Sequence, residues 1–182
     1  MRVRLLGPFQ LEDSGRPITL SGARQRAVLA DLLLHANEVV PSEQLLVDVW
    51  GEDAPPSAAN ALQAAISRLR RVLPEGRLNT APPGYELKVF PAELDAEQFE
   101  QLIFEGRDAL AAGTAADAAK ILDQARALWR GPPLADFRYE PFAQAEMARL
   151  EELRLACLEE RNEANLALGS AGALTTPVHW AT

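Results

Sequence analysis

The stretch that most narrowly limits how this chain can fold runs from Asn60 to Val89 and reads NALQAAISRLRRVLPEGRLNTAPPGYELKV. Its first part has the period of an amphipathic helix, for which Ser57 is the predicted N-cap. The apolar residues fall on one face of that helix: Leu62, Ile66, Leu69 and Leu73. Pro74 ends the helix, and the residues after it predict two short strands around a Pro-Gly turn. The sequence therefore places a hairpin directly after a helix.

The residues before this stretch predict short strands and two more helices. Strands are predicted in segments 2–13 and 16–20. Segments 23–36 and 42–50 have helical periodicity, with Ser42 as the predicted N-cap of the second helix. Two helices on a short connection, the second with an exposed polar face, form a helix-turn-helix, and a following hairpin makes it the winged variant. Here the connection is about seven residues long, longer than the tight classical turn. The first half is therefore predicted to be an α+β winged helix-turn-helix.

Periodicity and charge both change near residue 91, which predicts two domains. Residues 1–90 hold ten Lys/Arg and ten Asp/Glu, whereas residues 91–182 hold eight against sixteen, so the second half carries the whole net charge of −8. We predict a winged-helix domain over 1–91, an all-α tetratricopeptide-like domain over 92–169 and an irregular tail over 170–182. Because the local field decides binding, the acidic total does not exclude nucleic-acid binding by the first half.

The outer face of the third helix has the residue types that a helix needs to read a DNA major groove. Asn and Gln can pair with adenine, Arg can fork onto guanine, and Ala or Ser allows a close approach. These residues are predicted DNA contacts: Asn60, Gln63, Ala64, Ser67 and Arg68. Arg70 and Arg71, at the basic end of the helix, are predicted to reach phosphate, and the hairpin adds Arg77, Thr80 and Lys88. Solvated charge at a helix end is the alternative explanation of the arginines.

Other kinds of chemistry have little support in the sequence. No stretch is long and apolar enough to cross a membrane, and the N-terminus has no signal-peptide pattern, so the expected location is the cytoplasm, in association with the nucleoid. The histidines, His35 and His179, lack metal-ligand spacing, and Cys157 lies among leucines as a structural residue would. We expect no enzyme activity, no cofactor, no metal and no small-molecule ligand.

Several motifs, in order, resemble one family of bacterial regulators. The segments LLGPFQL, ARQRAVLADLLLHANEVVPSEQLLVDVWG, NALQAAISRLRRVL and PPGYELKV are similar to the OmpR-type winged helix of the SARP family, the Streptomyces antibiotic regulatory proteins. The segments LDAEQFEQLIFEGRDALAAG, ALWRGPPLADF and PFAQAEMARLEELRLACLEERNEANLALG resemble the bacterial transcriptional activation domain that follows it. The resemblance covers roughly residues 2–169.

That resemblance implies a transcriptional activator of antibiotic biosynthesis genes, which binds direct repeats in promoter DNA and recruits RNA polymerase. Arg24 and Arg26 match the basic start of the family's first helix, where they contact phosphate or polymerase, or are solvated helix-end charges. The family's activation domain continues with further helices, so this one is expected to be truncated. The alternatives are a truncated regulator that binds DNA without activating and a helical protein-interaction module.

Overall fold

Two small antiparallel sheets flank the helices of the first half in the computed structural model, which describes residues 1–174. In the first sheet the order is β1 (Arg2–Arg4), β2 (Gln10–Asp13), β3 (Arg16–Pro17). In the second sheet the order is β4 (Val39–Pro41), β6 (Gly84–Leu87), β5 (Leu78–Ala81). The hairpin that the sequence predicted after the third helix is confirmed as β5 and β6.

Three helices follow the first sheet along the chain, with β4 between the first two: α1 (Ala23–Leu34), α2 (Ser42–Trp50) and α3 (Ala58–Val72). The apolar face predicted for α3 is buried, with Leu62, Ile66 and Leu69 each at most 2% exposed. These side chains join one core with the apolar stripe of α1. Burial of each such side chain is worth about 1.5–3 kcal/mol, so this face fixes the orientation of α3. The winged helix-turn-helix is confirmed.

One local prediction is wrong at the start of α2. Ser42 is the first residue of the helix and Pro41 occupies the N-cap position, where no side chain makes a capping hydrogen bond. Val39–Pro41 instead forms β4, in which Val40 pairs with Tyr85 of β6. The backbone of these residues is therefore committed to the sheet, and Val40 is buried by it. A three-residue strand is too short for alternation in the sequence to reveal it.

The second half is helical, as predicted, with a short 3₁₀ turn. Its elements are α4 (Asp95–Ala111), α5 (Ala115–Ala127), the turn Ala135–Phe137 and α6 (Pro141–Leu174). Helices α4 and α5 pack together as a hairpin, and Gly106 allows this close approach because a Cβ there would lie 2.6 Å from a methyl carbon of Leu122. Gly113 has φ +75°, the left-handed conformation that ends a helix.

The last helix extends further than the sequence predicted. Its predicted end was Gly169, but α6 continues to Leu174. Glycine in an exposed helix costs only about 1 kcal/mol relative to alanine, so one or two glycines weaken a long helix without ending it. The remainder of the predicted tail, including His179, lies outside the described residues.

The two halves share one hydrophobic core and a set of backbone hydrogen bonds. The amides of Leu5 and Leu6 donate to the carboxylate of Asp95 at 2.6 and 3.1 Å. The amide of Arg130 donates to the Leu6 carbonyl oxygen at 2.8 Å, and that of Leu134 to the Leu5 carbonyl oxygen at 2.7 Å. The segment after β1 is therefore bound by the second half, which orients the winged helix relative to α4 and α6.

Candidate nucleic-acid interface

The outer face of α3 is open to solvent along its length. Six of the predicted contact residues are exposed on it: Asn60, Gln63, Ala64, Ser67, Arg68 and Arg71. The opposite face is locked into the core, so these side chains cannot turn inward. An exposed α-helix of this width fits the major groove of B-form DNA. The structure thus brings together the helix residues that sequence reasoning selected.

The hairpin β5–β6 is fastened to the end of α3 by Arg70. Its Nε donates to the Leu78 carbonyl oxygen at 3.0 Å, and its Nη2 donates to Oγ1 of Thr80 at 2.7 Å. Its guanidinium also lies 5.9 Å from the ring centroid of Tyr85. Three contacts on both strands of the hairpin therefore converge on one side chain of α3.

Arg77 does not belong to the exposed set, although the sequence suggested it as a DNA contact. It is 9% exposed, and its two terminal nitrogens each donate to a carboxylate oxygen of Glu93 at 2.6 Å. Its guanidinium also lies 4.1 Å from the ring centroid of Phe90. Partial burial of Glu93 opposes ionisation, but the hydrogen bonds from Arg77 and the chain's amino terminus prevail and lower the pKa of Glu93 to about 2. Arg77 is held inside the protein, so we remove it from the proposed contacts.

Two further hairpin residues lie where the sequence suggested. Lys88, just after β6, is exposed. Tyr85 is half-buried and packs against the core. Thr80 is exposed, but its hydroxyl oxygen accepts the hydrogen bond from Arg70.

Arg24 and Arg26 each have a partner within the protein. Arg24 donates to the Val49 carbonyl oxygen at the end of α2, and its guanidinium lies 5.7 Å from the ring centroid of Trp50. Arg26 forms an ion pair with Asp136 of the second half. Both side chains therefore hold elements of the fold together, and we do not assign them to phosphate or polymerase.

The charge near α3 is positive even though the chain is acidic. Residues 60–88 hold five Lys/Arg and two Asp/Glu. Once the pair of Arg77 with Glu93 is set aside, Arg68, Arg70, Arg71 and Lys88 remain as exposed cations on α3 and the hairpin. Such local charge attracts a polyanion by long-range steering.

Three observations on residues 1–174 concern metal binding, thiol chemistry and membrane spanning. Residues 1–174 contain no group of three or more His, Cys, Asp and Glu side chains arranged to hold a metal ion. Cys157 is buried, and this burial raises the pKa of its thiol to about 11. Within the same range no helix is long and apolar enough to span a bilayer.

Two family models match the chain in the order of its two halves. The model for the C-terminal domain of transcriptional regulatory proteins matches residues 15–85, and the model for the bacterial transcriptional activator domain matches residues 94–180. This domain pair is the architecture of one family of regulators. The chain belongs to the SARP family. Both matched models describe domains of transcriptional regulators rather than enzyme domains.

Several SARP-type regulators are similar to nearly the whole chain. Regulatory protein DnrI of Streptomyces peucetius is 36% identical over 180 residues, which cover 93% of this chain and 66% of DnrI. Transcriptional regulatory protein EmbR of Mycobacterium tuberculosis is 35% identical over 177 residues, 93% of this chain and 45% of EmbR. Regulatory protein AfsR of Streptomyces coelicolor is 34% identical over 170 residues, 93% of this chain and 17% of AfsR. The chain thus spans less than two thirds of these relatives.

A solved structure confirms the fold. Mycobacterium tuberculosis EmbR in complex with a low-affinity phosphopeptide superposes with a TM-score of 0.89 at 33% identity, over 95% of this chain and 47% of that one. The winged helix followed by the helical domain is therefore shared with this SARP relative.

Sequence reasoning missed the internal role of Arg70. A signal was present in the helical wheel, where Arg70 lies about 80° from the centre of the buried face and Arg71 lies opposite that face. The contacts of Arg70 depend on where the hairpin lies, and the pairing of β6 with the distant strand β4 sets that position.

Proposed function

We propose that this SARP regulator binds promoter DNA by inserting α3 into the major groove, with the hairpin alongside. The observation that carries this proposal is the solvent-exposed face of α3, where short polar side chains lead into a basic end. Asn60, Gln63 and Ser67 read base edges, with Ala64 allowing the close approach. Arg68, Arg71 and Lys88 neutralise phosphates, and Thr80 lies beside them on the hairpin.

Family membership supports a finer form of this proposal. The regulator activates antibiotic biosynthesis genes, occupies direct repeats as tandem copies and recruits RNA polymerase. The acidic second half suits a protein partner better than DNA, because like charge repels the phosphate backbone. The continuous core between the halves supports this division, since it holds the helical domain in a fixed orientation while α3 is on DNA.

The salt dependence of binding tests the DNA contacts without knowledge of the operator. Affinity for a random-sequence duplex is measured by fluorescence anisotropy between about 50 and 200 mM salt, where counterion release makes affinity fall steeply. Arg71→Ala should lower the slope of log affinity against log salt by about 1. Arg138→Ala removes an equally exposed arginine from the second half and should leave the slope unchanged.

Two results would count against the proposal. Wild-type protein that fails to bind any duplex at low salt would exclude DNA as the ligand of α3. Equal slopes for Arg71→Ala and Arg138→Ala would show that the phosphate contacts lie elsewhere. A promoter-reporter assay then separates activation from binding alone, because DNA binding without reporter induction would identify a regulator that only occupies its site.

A further inference from the structure

Among the arginines near the end of α3, Arg70 stands apart by its contacts. Arg68 and Arg71 lie exposed on the outer face, whereas Arg70 points along the flank of α3 toward β5 and β6. Its bonds to the Leu78 carbonyl and the Thr80 hydroxyl use two different nitrogens of one planar fork. Such a fork fixes direction as well as distance, which a lysine cannot do.

The contacts of Arg70 reach both strands of the hairpin. Leu78 and Thr80 belong to β5, and Tyr85, whose ring lies under the guanidinium, belongs to β6 opposite Thr80. The hairpin's other edge pairs with β4 through Val40 and Tyr85, so that edge is fixed by backbone bonds. On the β5 edge, Arg70 is the side chain of α3 that ties the hairpin to the helix through polar contacts.

From this geometry we infer that Arg70 is a positioning residue, which sets the hairpin relative to α3 so that both reach DNA together. The inference rests on the proposed function, since it assigns Arg70 a role within the same interface. Arg70 then contributes to affinity through the ordered hairpin and not through a phosphate of its own. A hairpin that is not held against α3 would have to become ordered when DNA binds, and this loss of conformational entropy would lower the affinity.

The variants that separate these roles are Arg70→Lys, which keeps the charge but loses the fork, and Thr80→Val, which keeps the shape but removes the acceptor. Thr80→Val should weaken binding to a random duplex by about fivefold to tenfold, the effect of one lost hydrogen bond, and Arg70→Lys should weaken it at least as much because the bond to Leu78 is lost as well. The salt slope should remain that of wild type in both, because no phosphate contact is lost. The double variant should be no weaker than the worse single variant, since the bond lost in Thr80→Val is one of the two lost in Arg70→Lys.

Hydrogen exchange of the free full-length chain gives a readout that does not involve DNA. Amides of residues 78–87 should exchange faster in Arg70→Lys and Thr80→Val than in wild type, while amides of α1 stay protected. Arg71→Ala is the matched control and should leave hairpin exchange unchanged. Because this measurement needs no DNA, it decides the positioning role even if wild-type protein fails to bind a duplex.

Clear results would overturn the inference. Wild-type affinity in Arg70→Lys, together with a salt slope lower by about 1 in Arg70→Ala, would make Arg70 a phosphate contact. Unchanged hairpin exchange in both Arg70→Lys and Thr80→Val would show that the hydrogen bonds do not order the hairpin. A thermal midpoint near that of wild type confirms that each variant is folded before either result is read.

Discussion

At the scale of single residues, Asp31 of the winged helix is a buried carboxyl group with a raised pKa. It is fully buried in α1, where its carboxylate lies close to the side chains of His35 and Asp48. Burial, and then the nearby carboxylate of Asp48 in α2, raise the pKa of Asp31 to about 7, although His35 opposes the shift. Nδ1 of His35 lies 3.4 Å from the carboxylate but hydrogen-bonds to the Asp31 carbonyl oxygen at 3.0 Å.

The raised pKa of Asp31 predicts a pH-dependent stability. The unfolded chain ionises Asp31 near its ordinary value of 3.8 while the folded chain resists until about 7. The free energy of unfolding should therefore fall as the pH rises from about 4 to about 7. Denaturant unfolding of Asp31→Asn should show a flatter pH profile over that window, whereas Asp53→Asn, an exposed aspartate in the α2–α3 loop, should follow wild type. Parallel profiles for Asp31→Asn and wild type would contradict this.

Residue types on a helix face were enough to select most of the candidate site. The buried and exposed faces of α3 follow from its periodicity, and so Asn60, Gln63 and Arg71 were placed on the open face from sequence alone. The contact partners of individual arginines were not predictable in the same way. Arg77 is buried in a pair with Glu93, and Arg26 pairs at the surface with Asp136, which lies 110 residues further along the chain. Sequence spacing carries no information about such partners.

At the scale of elements, the hairpin depends on the close approach of β4 to β6. Gly84 of β6 pairs with Pro41, and a Cβ at Gly84 would lie 1.8 Å from the Val40 carbonyl oxygen. That neighbour is backbone, so it cannot rotate away as a side chain would. A side chain at this position must therefore push the two strands apart.

Gly84→Ala should disrupt the sheet that carries the hairpin. We expect a loss of unfolding free energy of at least about 2 kcal/mol, because overpacking against backbone adds to the loss of strand pairing. Gly169→Ala provides the control, since nothing lies within 4 Å of its Cβ in exposed helix α6. It should be neutral or stabilise by up to about 1 kcal/mol. Chemical denaturation measures both, and a Gly84→Ala value within error of wild type would be inconsistent with the strand geometry.

Elements with a clear local signal in the sequence were predictable, and those without one were not. Helices α1, α3, α4 and α5 have enough turns for an apolar period to be read. Strand β4 has three residues and is defined by its partner β6, and the end of α6 carries no strong stop signal before Leu174. Strands β5 and β6 are also short, but the Pro-Gly turn between them made the hairpin predictable.

At the scale of the whole molecule, the contact between the halves is centred on Asp95. Its carboxylate accepts two backbone hydrogen bonds from the segment after β1, and Nη2 of Arg130 lies 3.5 Å away. Because the core is continuous across this contact, the described chain should unfold as one cooperative unit.

Replacing Asp95 should destabilise that unit as a whole. Asp95→Ala leaves two buried amides without their acceptor, which should lower the free energy of unfolding by about 1–3 kcal/mol. Asp108→Ala, an exposed aspartate on the same helix, should change it by less than about 0.5 kcal/mol. Calorimetry should show one transition for wild type and for both variants. Two separated transitions in wild type would mean that the halves are thermodynamically independent.

The most direct test of DNA reading by α3 is selection of bound duplexes from a random library. Wild-type protein should enrich a defined sequence, arranged as a direct repeat, and Gln63→Ala should relax the preference at one base position by about 1–3 kcal/mol. Arg138→Ala, in the second half, should enrich the wild-type sequence unchanged. No enrichment by wild-type protein at low salt, or an identical motif for wild type and Gln63→Ala, would contradict sequence recognition by this helix.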